Sequence, residues 1–236
     1  MKLVADLHTH TVSSGHAYST LEEYVEQAKK IGLEAIAITD HGPAMPGAPH
    51  YYHFSNMRMI PEKINGIRVY RGIEANIINN DGEVDFAGDY FTTLDIVMAA
   101  IHIRCGYEEQ GKQKNTEVVL KAIEKNPRIN IIAHPGNPQH PLNVEKVVAA
   151  AKEKGVLIEL NNSSETSRKG SWDRCLAFAK EVKRQDWLVS VGSDAHFSAM
   201  LGGFDWSLKL IKAAGLSEKH VVNTSLEKID KYLLKK

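Results

Sequence analysis

The chain opens with an apolar run that ends in two histidines, Lys2-Leu-Val-Ala-Asp-Leu-His8-Thr9-His10. A run of this length and composition predicts a buried β-strand. Alternate residues of an extended chain point to the same side, so His8 and His10 should project together from the strand end. Two imidazoles that converge on one point form half of a metal site. Such a pair is weak evidence alone, and it gains weight only from the strands that follow.

Later strands of the chain end in the same way. Apolar runs of strand length alternate with amphipathic helical segments, and a histidine or an acid follows most of these runs. The pairs are His41 after residues 35–39, Glu74 after 67–71, His102 after 94–101, His134 after 130–133, and Asp194 with His196 after 187–191. A further apolar run at 156–160 is followed by Asn161.

Seven alternations of apolar strand and helix are typical of a parallel sheet covered by helices. An open sheet would gather its site at one crevice, whereas here almost every strand places a polar group after its carboxyl end. That pattern favours a closed barrel, in which all the carboxyl ends face one mouth. We therefore predict a TIM-barrel-like (β/α)7 barrel, one strand short of the eight-stranded form, as a single domain over residues 1–236. A length of 236 residues with 43% hydrophobic content suits such a domain.

Several local signals place the helices and turns. Ser19 with Glu22, and Thr20 with Glu23, both have capping-box spacing for a helix that ends at Gly32. Thr116 and Asn143 are predicted caps of two later helices, and helices are expected at 172–183, 204–214 and 226–234. Residues 79–82 read Asn-Asn-Asp-Gly, which predicts a turn between short extended pieces. The Pro- and Gly-rich segment 43–54 is expected at the rim of a pocket.

The overall composition excludes several classes of protein. The formal net charge is zero, so the chain lacks the basic footprint expected for binding nucleic acid. No signal peptide or membrane span is recognisable. Two cysteines, Cys105 and Cys175, are too few for a disulfide framework, which fits a reducing cytoplasm. The unusual number is that of histidines, which total eleven.

Nine side chains form the candidate site: the strand-end groups and one histidine from the first loop. They are His8, His10, His16, His41, Glu74, His102, His134, Asp194 and His196. Any one of them could merely hydrogen-bond a loop or cap a helix, but so many at one barrel mouth argue against chance. Nine ligands exceed the four of one tetrahedral ion and can serve two or three ions, with a carboxylate such as Glu74 bridging. Imidazoles with some carboxylate suit zinc, iron or manganese better than calcium or magnesium.

The motifs resemble a known family over essentially the whole chain. His8-Thr-His10, Thr39-Asp-His41-Gly, Gly72-Ile-Glu74, His134-Pro-Gly and Gly192-Ser-Asp194-Ala-His196 are similar to those of the PHP (polymerase and histidinol phosphatase) family. Glu159-Leu-Asn-Asn-Ser-Ser and Ser167-Arg-Lys-Gly resemble its stand-alone, YcdX-like phosphatase branch in particular. The resemblance implies a distorted (β/α)7 barrel that holds three metal ions, usually zinc, and the related branch suggests a homotrimer.

The resemblance also implies how the ligands share the ions. His8, His10, Glu74 and Asp194 would hold one ion. Glu74, His102 and His134 would hold the second, and His16, His41 and His196 the third. The residues alone support the set of nine but not this partition.

A cluster of divalent ions suits a multiply charged anion, and hydrolysis of a phosphate monoester fits. The expected cofactor is three divalent ions, Zn²⁺ first, with Mn²⁺ or Fe²⁺ as alternatives, and the expected substrate is a small phosphorylated metabolite. The ions would bind the phosphoryl oxygens, and a hydroxide bridging two of them would attack in line. Glu74 and Asp194 would be the catalytic carboxylates that hold this centre.

Cations near the mouth are candidates for binding the substrate phosphate. Arg168 and Lys169 follow the sixth predicted strand, and Arg104 lies two residues after His102. Arginine is well shaped to clamp phosphate through two hydrogen bonds. The alternative is that all three are solvated loop charges. Asp6 and Asp40 lie beside histidines and could either orient the imidazoles or cap their own turns.

Three other functions remain open on sequence alone. An amidohydrolase barrel also begins with His-x-His and ends with a strand-end Asp, but it would leave His16, His41 and His196 surplus. A nucleotide or oligonucleotide phosphoesterase would use the same ions, although no basic groove is evident. A non-enzymatic metal-binding protein would not need all nine ligands. His50, His53, His140 and His220 lack the strand-end position and are not expected in the site.

Overall fold

The structure is a computed structural model that describes residues 1–86 and 88–234. Strands and helices alternate along most of this length. The strands are β1 (Ala5–Asp6), β2 (Ala35–Ile38), β3 (Lys63–Ile64), β4 (Ile67–Asn76), β5 (Ile96–Ala100), β6 (Ile131–Ile132), β7 (Leu157–Asn161) and β8 (Val189–Gly192). The helices are α1 (Leu21–Ile31), α2 (Tyr51–Asn56), α3 (Lys112–Lys125), α4 (Val144–Lys154), α5 (Ser164–Ser167), α6 (Trp172–Arg184), α7 (Asp205–Ala214) and α8 (Leu226–Leu233).

The sheet is parallel and runs in the order β1-β2-β4-β5-β6-β7-β8. The additional strand β3 pairs antiparallel with β4 at the edge where β4 begins. The seven parallel strands form a nearly closed barrel with helices between them, so the predicted (β/α)7 architecture is confirmed. Their carboxyl ends therefore face one common mouth.

The barrel closes where β8 meets β1. Thr9 and Ala195 form a parallel bridge just beyond the two strands. Below it, the buried side chain of Asn223 donates to the carbonyls of Ala5 and Val191, at 3.0 and 2.8 Å. Its Oδ1 also accepts from the Val191 N–H at 2.8 Å. One amide side chain thus pairs with three backbone groups, one on β1 and two on β8.

Alternation along each strand divides the core into two parts. Ile96, Met98 and Ala100 of β5 belong to an inner cluster, whereas Val97 and Ala99 belong to the outer cluster between sheet and helices. This is the period of two expected of a strand that is buried on both faces. Ile229 and Leu233 of α8 pack into the inner cluster. Apolar side chains thus fill the barrel interior, and polar groups occupy its carboxyl mouth.

The predicted turn chemistry is largely confirmed. The capping box at α1 uses Thr20 and Glu23, and Gly32 ends the helix in a left-handed conformation. Asn143 caps α4 by accepting from the Lys146 N–H. The turn at 79–82 connects two short extended segments, which pair through an antiparallel bridge between Ile77 and Val84.

Two local predictions differ from the structure, and two short elements are additional to the predictions. Helix α3 begins at Lys112, so Thr116 lies inside the helix, where its hydroxyl donates to the Lys112 carbonyl rather than capping. The rim segment contains the short helix α2, and strand β3 was not foreseen. Strand β4 continues past residue 71 because it pairs first with β2 and then, from Gly72 onward, with β5.

Gly72 marks the point where β4 changes neighbours. A Cβ there would lie 2.9 Å from the Ile96 carbonyl oxygen and 3.0 Å from Cγ2 of Thr39. Glycine is required for this close approach and does not end the strand. No helix in the described ranges is both long enough and apolar enough to cross a membrane.

We predict that Asn223→Ala destabilises the barrel by about 3 kcal/mol, because it leaves three buried backbone groups unpaired. Urea unfolding followed by circular dichroism measures this loss. Asn80→Ala is the control, since the Asn80 side chain is exposed and bonds only to Gln110 in the described structure. It should change stability by less than about 0.5 kcal/mol. Equal midpoints for the two variants would contradict the closing role of Asn223.

Candidate metal centre

The nine predicted side chains gather at the carboxyl mouth of the barrel. His8 and His10 follow β1, His41 follows β2, His102 and His134 follow β5 and β6, and Asp194 and His196 follow β8. Glu74 lies within β4 rather than after it, since the strand is longer than predicted. His16 comes from the loop after a short 3-10 turn, Val12–Ser14. Six of the nine are buried, His102 and His196 are partly buried, and His16 is exposed.

Glu74 occupies the centre of the cluster. Its Oε2 lies 2.9 Å from Nδ1 of His41 and 3.4 Å from Nε2 of His8. Its Oε1 lies 2.8 Å from Nε2 of His134 and 3.4 Å from Nε2 of His102. The two oxygens of one carboxylate therefore face two different sets of imidazoles.

The remaining groups lie on either side of His10. Nε2 of His10 is 3.2 Å from Oδ1 of Asp194 and 3.0 Å from Nε2 of His8. Beyond it, the rings of His41 and His196 lie with centroids 4.2 and 4.4 Å from that of His10. His16 completes this outer group, with its ring centroid 4.9 Å from that of His41.

Three triplets of donor atoms each lie within 4.8 Å of one another, which is close enough to hold a metal ion. They are His8 with His10 and Asp194, His41 with Glu74 and His102, and His10 with His41 and His196.

Two donor atoms in the cluster face each other without a hydrogen bond. Nδ1 of His41 and Oε2 of Glu74 are buried and lack a hydrogen-bond partner in the described chain, although they are 2.9 Å apart. Nearby, Nε2 of His102 and Nε2 of His134 lie within hydrogen-bond distance of each other, at 3.2 Å. Buried polar atoms are normally paired, because an unpaired one costs about 1–3 kcal/mol. Converging lone pairs of imidazole and carboxylate fit divalent zinc, iron or manganese.

The charges of the cluster favour cations. Burial by itself would raise the pKa of Glu74, but His8, His102 and His41 lower it well below its usual range. The pKa of Asp194 is likewise held low by His8, His10 and Arg168 against the effect of burial. Both carboxylates are therefore ionised at neutral pH, as ligation requires.

Three buried imidazoles of the cluster have shifted pKa values, in two opposite directions. Burial lowers the pKa of His134 to about 3, with a further contribution from the charge of Arg168, and burial also lowers the pKa of His10. These two rings are neutral at pH 7 and have a lone pair to offer. Burial would also lower the pKa of His8, but Glu159, Glu74 and Asp194 raise it well above its usual value. The position of His8 thus attracts positive charge.

Other side chains fix the orientation of the imidazoles from behind. Nδ1 of His102 donates to Oδ1 of Asn76 at 2.7 Å, a tautomer assigned from the donation of the Asn76 amide group to Asp85. Nδ1 of His10 lies 3.3 Å from the Ser14 hydroxyl, which itself donates to Asp40 at 2.7 Å. In both cases the opposite nitrogen, Nε2, is left facing the cluster.

Glu159 is the most important residue that the sequence interpretation missed. Its Oε1 lies 2.6 Å from Nδ1 of His8, and its Oε2 accepts from the His134 N–H at 2.7 Å. The side chain is buried at the centre of β7. A signal was present, because a charged residue inside an otherwise apolar run is seldom buried without a partner.

The two predicted supporting aspartates behave differently. Asp6 accepts from backbone N–H groups of Ser193 and Gly202, so it caps the turn that carries the last ligands. Asp40 accepts from Thr11 and Ser14 and lies 3.1 Å from Nε2 of His53. It therefore acts on the loop before His16 and reaches His10 only through Ser14.

The predicted phosphate-binding cations are also separated by the structure. Both η nitrogens of Arg168 lie 3.2 Å from Oδ2 of Asp194, so this guanidinium is at the cluster. Lys169 is exposed, and Arg104 lines a different pocket together with His140.

Burial raises the pKa of Cys105 to about 12, so this thiol is protonated at neutral pH.

An open pocket of about 350 Å³ lies over the cluster. Its walls include five of the nine predicted ligands together with Met45, Met200 and a polar stretch of Ser163, Ser167 and Arg168. The volume suits a small molecule that could contact the cluster and Arg168 together.

Comparison with known proteins fits this arrangement. The sequence profile of the PHP domain matches residues 6–163. The chain belongs to the PHP domain family. The match includes His8 through His134, whereas Asp194 and His196 lie beyond it. The family predicted from the strand-end motifs is thereby confirmed.

Proteins similar along the whole chain carry the name probable phosphatase. One from Acetivibrio thermocellus is 50% identical over 236 residues, which cover 100% of this chain and 97% of that protein. Another from Shewanella sp. is 47% identical over 226 residues, covering 95% of this chain and 89% of that protein. The predicted class of enzyme, a phosphatase, is confirmed by these relatives.

A solved structure shows the same fold at low sequence identity. It is the histidinol phosphate phosphatase of Lactococcus lactis, complexed with zinc, L-histidinol and phosphate. The TM-score is 0.64 at 17% identity, with 90% of this chain and 94% of that chain covered.

We predict that Gly192→Ala disturbs the cluster from behind. A Cβ at Gly192 would lie 2.4 Å from Cβ of His8 and 2.5 Å from Oε1 of Glu159, so one of the two must move. Overpacking of this kind costs about 1–3 kcal/mol, which urea unfolding measures. Gly203→Ala is the control, because its nearest atom, the Met200 carbonyl oxygen, would be 3.1 Å away. A Gly192→Ala protein as stable as Gly203→Ala would contradict the tight packing.

Proposed function

We propose that the protein hydrolyses phosphate monoesters of a small metabolite at a centre of three divalent ions, with zinc as the first candidate. The observation that carries the proposal is the position of Glu74, whose two oxygens face two sets of imidazoles. Such a carboxylate suits a bridge between two ions. The third ion would lie among His16, His41 and His196, whose rings have adjacent centroids.

The proposed ligands are the nine side chains of the cluster. When bound, the ions would supply Lewis acidity for the phosphoryl oxygens and lower the pKa of water to near neutrality. The protein contributes the positions of the groups. Glu74 and Asp194 are ionised and buried, so they can hold cations without a competing proton. Nucleophilic side chains are not required for this chemistry.

Arg168 is the proposed phosphate-binding residue. Its guanidinium lies in the wall of the pocket and faces Oδ2 of Asp194. Arginine offers several donors in one plane, so it can contact Asp194 and a phosphoryl oxygen at the same time. The exposed Lys169 and the separate position of Arg104 make those two residues weaker candidates.

Several broader expectations stay proposals. We expect one domain over residues 1–236, acting in the cytoplasm and forming a homotrimer as in the related branch. Two buried free cysteines, Cys105 and Cys175, fit a reducing compartment. A nucleotide or oligonucleotide phosphoesterase is the alternative for the same ions.

Metal content and activity test the proposal together. Elemental analysis of untagged protein should find about three ions per chain, as nine ligands allow. Hydrolysis of p-nitrophenyl phosphate should be lost with a chelator and recovered with zinc or manganese. One ion per chain, with amide or lactone hydrolysis and no phosphatase activity, would instead indicate an amidohydrolase.

We predict that Glu74→Ala and His10→Ala each abolish hydrolysis while the barrel stays folded. The loss in kcat/KM should exceed about 100-fold, more than is typical for a residue behind a ligand. Circular dichroism checks the fold, and Glu145→Ala is the control because its side chain is exposed on α4. Wild-type activity in a folded Glu74→Ala protein would contradict the proposal that Glu74 bridges two ions.

We predict that Arg168→Ala raises KM for phosphate monoesters by about 10- to 100-fold, which corresponds to the loss of one charge-assisted hydrogen-bonding group. Metal content should not change, because Asp194 keeps its Oδ1 toward the histidines and Asn161 still donates to its Oδ2. Arg184→Ala, which removes an exposed arginine from the last turn of α6, is the control. An unchanged KM would contradict the binding of phosphate by Arg168 and leave it only its structural contact with Asp194.

A further inference from the structure

Glu159 lies behind the candidate metal centre and contacts two of its ligands at once. One oxygen of its carboxylate lies against the ring of His8, and the other accepts from the backbone N–H of His134. The second oxygen also accepts from Nδ2 of Asn161 at 3.2 Å. The side chain is 1% exposed, so the contacts are shielded from water.

The contacts of Glu159 require a carboxylate. The N–H of His134 and the amide NH2 group of Asn161 are donors by their chemistry, so Oε2 must accept from both. With Oε1 as the only remaining acceptor, His8 must donate from Nδ1. A glutamine would direct its own NH2 group at one of these donors, and a donor would be left unpaired. The position therefore selects for Glu by its partners and not only by its size.

Glu159 is not placed to be a ligand itself. Nε2 of His8, on the opposite side of the ring from Glu159, is the atom that faces His10 and Glu74. Both Glu159 oxygens already have partners. A carboxylate behind a ligating imidazole fixes the ring orientation and raises the basicity of the ligating nitrogen.

The second contact holds a strained backbone. His134 has a φ of 32°, in the left-handed region, where a residue other than glycine costs about 1–3 kcal/mol. Oε2 of Glu159 accepts a hydrogen bond from the N–H of His134 at 2.7 Å and so stabilises this conformation. This conformation directs Nε2 of His134 to Oε1 of Glu74, at 2.8 Å. Loss of the contact would release the backbone and move the ring away from Glu74.

His8 and His134 lie on opposite sides of Glu74. His8 faces Oε2 of that carboxylate, whereas His134 faces Oε1. In the proposed three-ion centre, on which this inference rests, the two histidines belong to different ions. We propose that Glu159 is a positioning residue that couples these two ions, so that they are gained and lost together. His16, His41 and His196, which would hold the third ion, make no hydrogen bond with Glu159 in the described part of the chain.

The test compares metal content among matched variants, and it does not depend on activity. Metal-free protein is reloaded with zinc, desalted and analysed for metal, and zinc affinities are measured against a chromophoric chelator. Glu159→Gln should lose two of three ions, with affinities about 10- to 100-fold weaker, while the affinity for the remaining ion is unchanged. Asn76→Ala removes the partner of one ligand, His102, and of Asp85 and the Gly42 carbonyl outside the ligand set, so it should lose at most one ion.

Asp95→Asn is the control for loss of a carboxylate. Asp95 pairs with Arg71 just before β5, at the opposite end of the barrel from the cluster. This variant should retain all three ions. If Glu159→Gln does not fold, Glu159→Asp keeps an acceptor but withdraws it by one methylene, and it should weaken the same two ions to a smaller degree.

The outcomes separate this inference from the proposed function. Three ions at wild-type affinity in Glu159→Gln, or in a folded Glu159→Asp, would overturn the inference, as would the loss of one ion alone. A wild-type protein with two ions that are lost together in Glu159→Gln would overturn the three-ion centre and keep the coupling. A wild-type protein with a single ion would overturn both.

Discussion

The closure of the barrel between β8 and β1 is the constraint on which the site depends. Above Asn223, the Asp194 N–H donates to the His8 carbonyl and the His10 N–H donates to the Ala195 carbonyl, both at 2.9 Å. These two hydrogen bonds hold His8 and His10, which follow β1, beside Asp194 and His196, which follow β8. Asp194 has a φ of 57°, and this left-handed conformation turns its carboxylate back toward the mouth. Without the join, the two halves of the ligand set would belong to opposite edges of an open sheet.

A second constraint is electrostatic. Glu74, Asp194 and Glu159 bury three carboxylates in one small volume, and a buried charge without a partner is costly. Arg168 compensates Asp194, and the proton on His8 compensates part of the rest. Divalent ions would compensate the remainder more fully, so binding them would also stabilise the folded state. The chemistry of the site and the stability of the barrel are therefore linked.

The fold and the ligand set could be predicted because both leave a periodic trace in the sequence. A histidine at a strand end is conspicuous when the strand is apolar, and parallel strands bring their ends together. The groups behind the ligands leave no such trace. Asn76 and Asp85 act on His102 through contacts that only the folded chain creates. Glu159 appears in the sequence as a charge inside an apolar strand and as part of a family motif, and neither feature gives its contact with His8.

Loop side chains were the least predictable. Arg168 and Lys169 are neighbours in sequence, yet one reaches Asp194 and the other faces solvent. The direction of a loop side chain depends on local backbone angles that spacing does not encode. The start of α3 shows the same limit, because the capping preference of Thr116 was outweighed by a helix that already began after Gly111. Propensity is a weak guide where tertiary contacts decide.

The distribution of the ligands over the chain has a consequence for biogenesis. His8 meets Glu159 across 151 residues, and every cluster of donor atoms combines distant strands. A nascent or partly folded chain therefore offers the local pair of His8 and His10 rather than a complete set of ligands. Contacts of such long range form late in folding. Binding of metal would then be the last step of maturation, and only molecules whose barrel has closed would bind it.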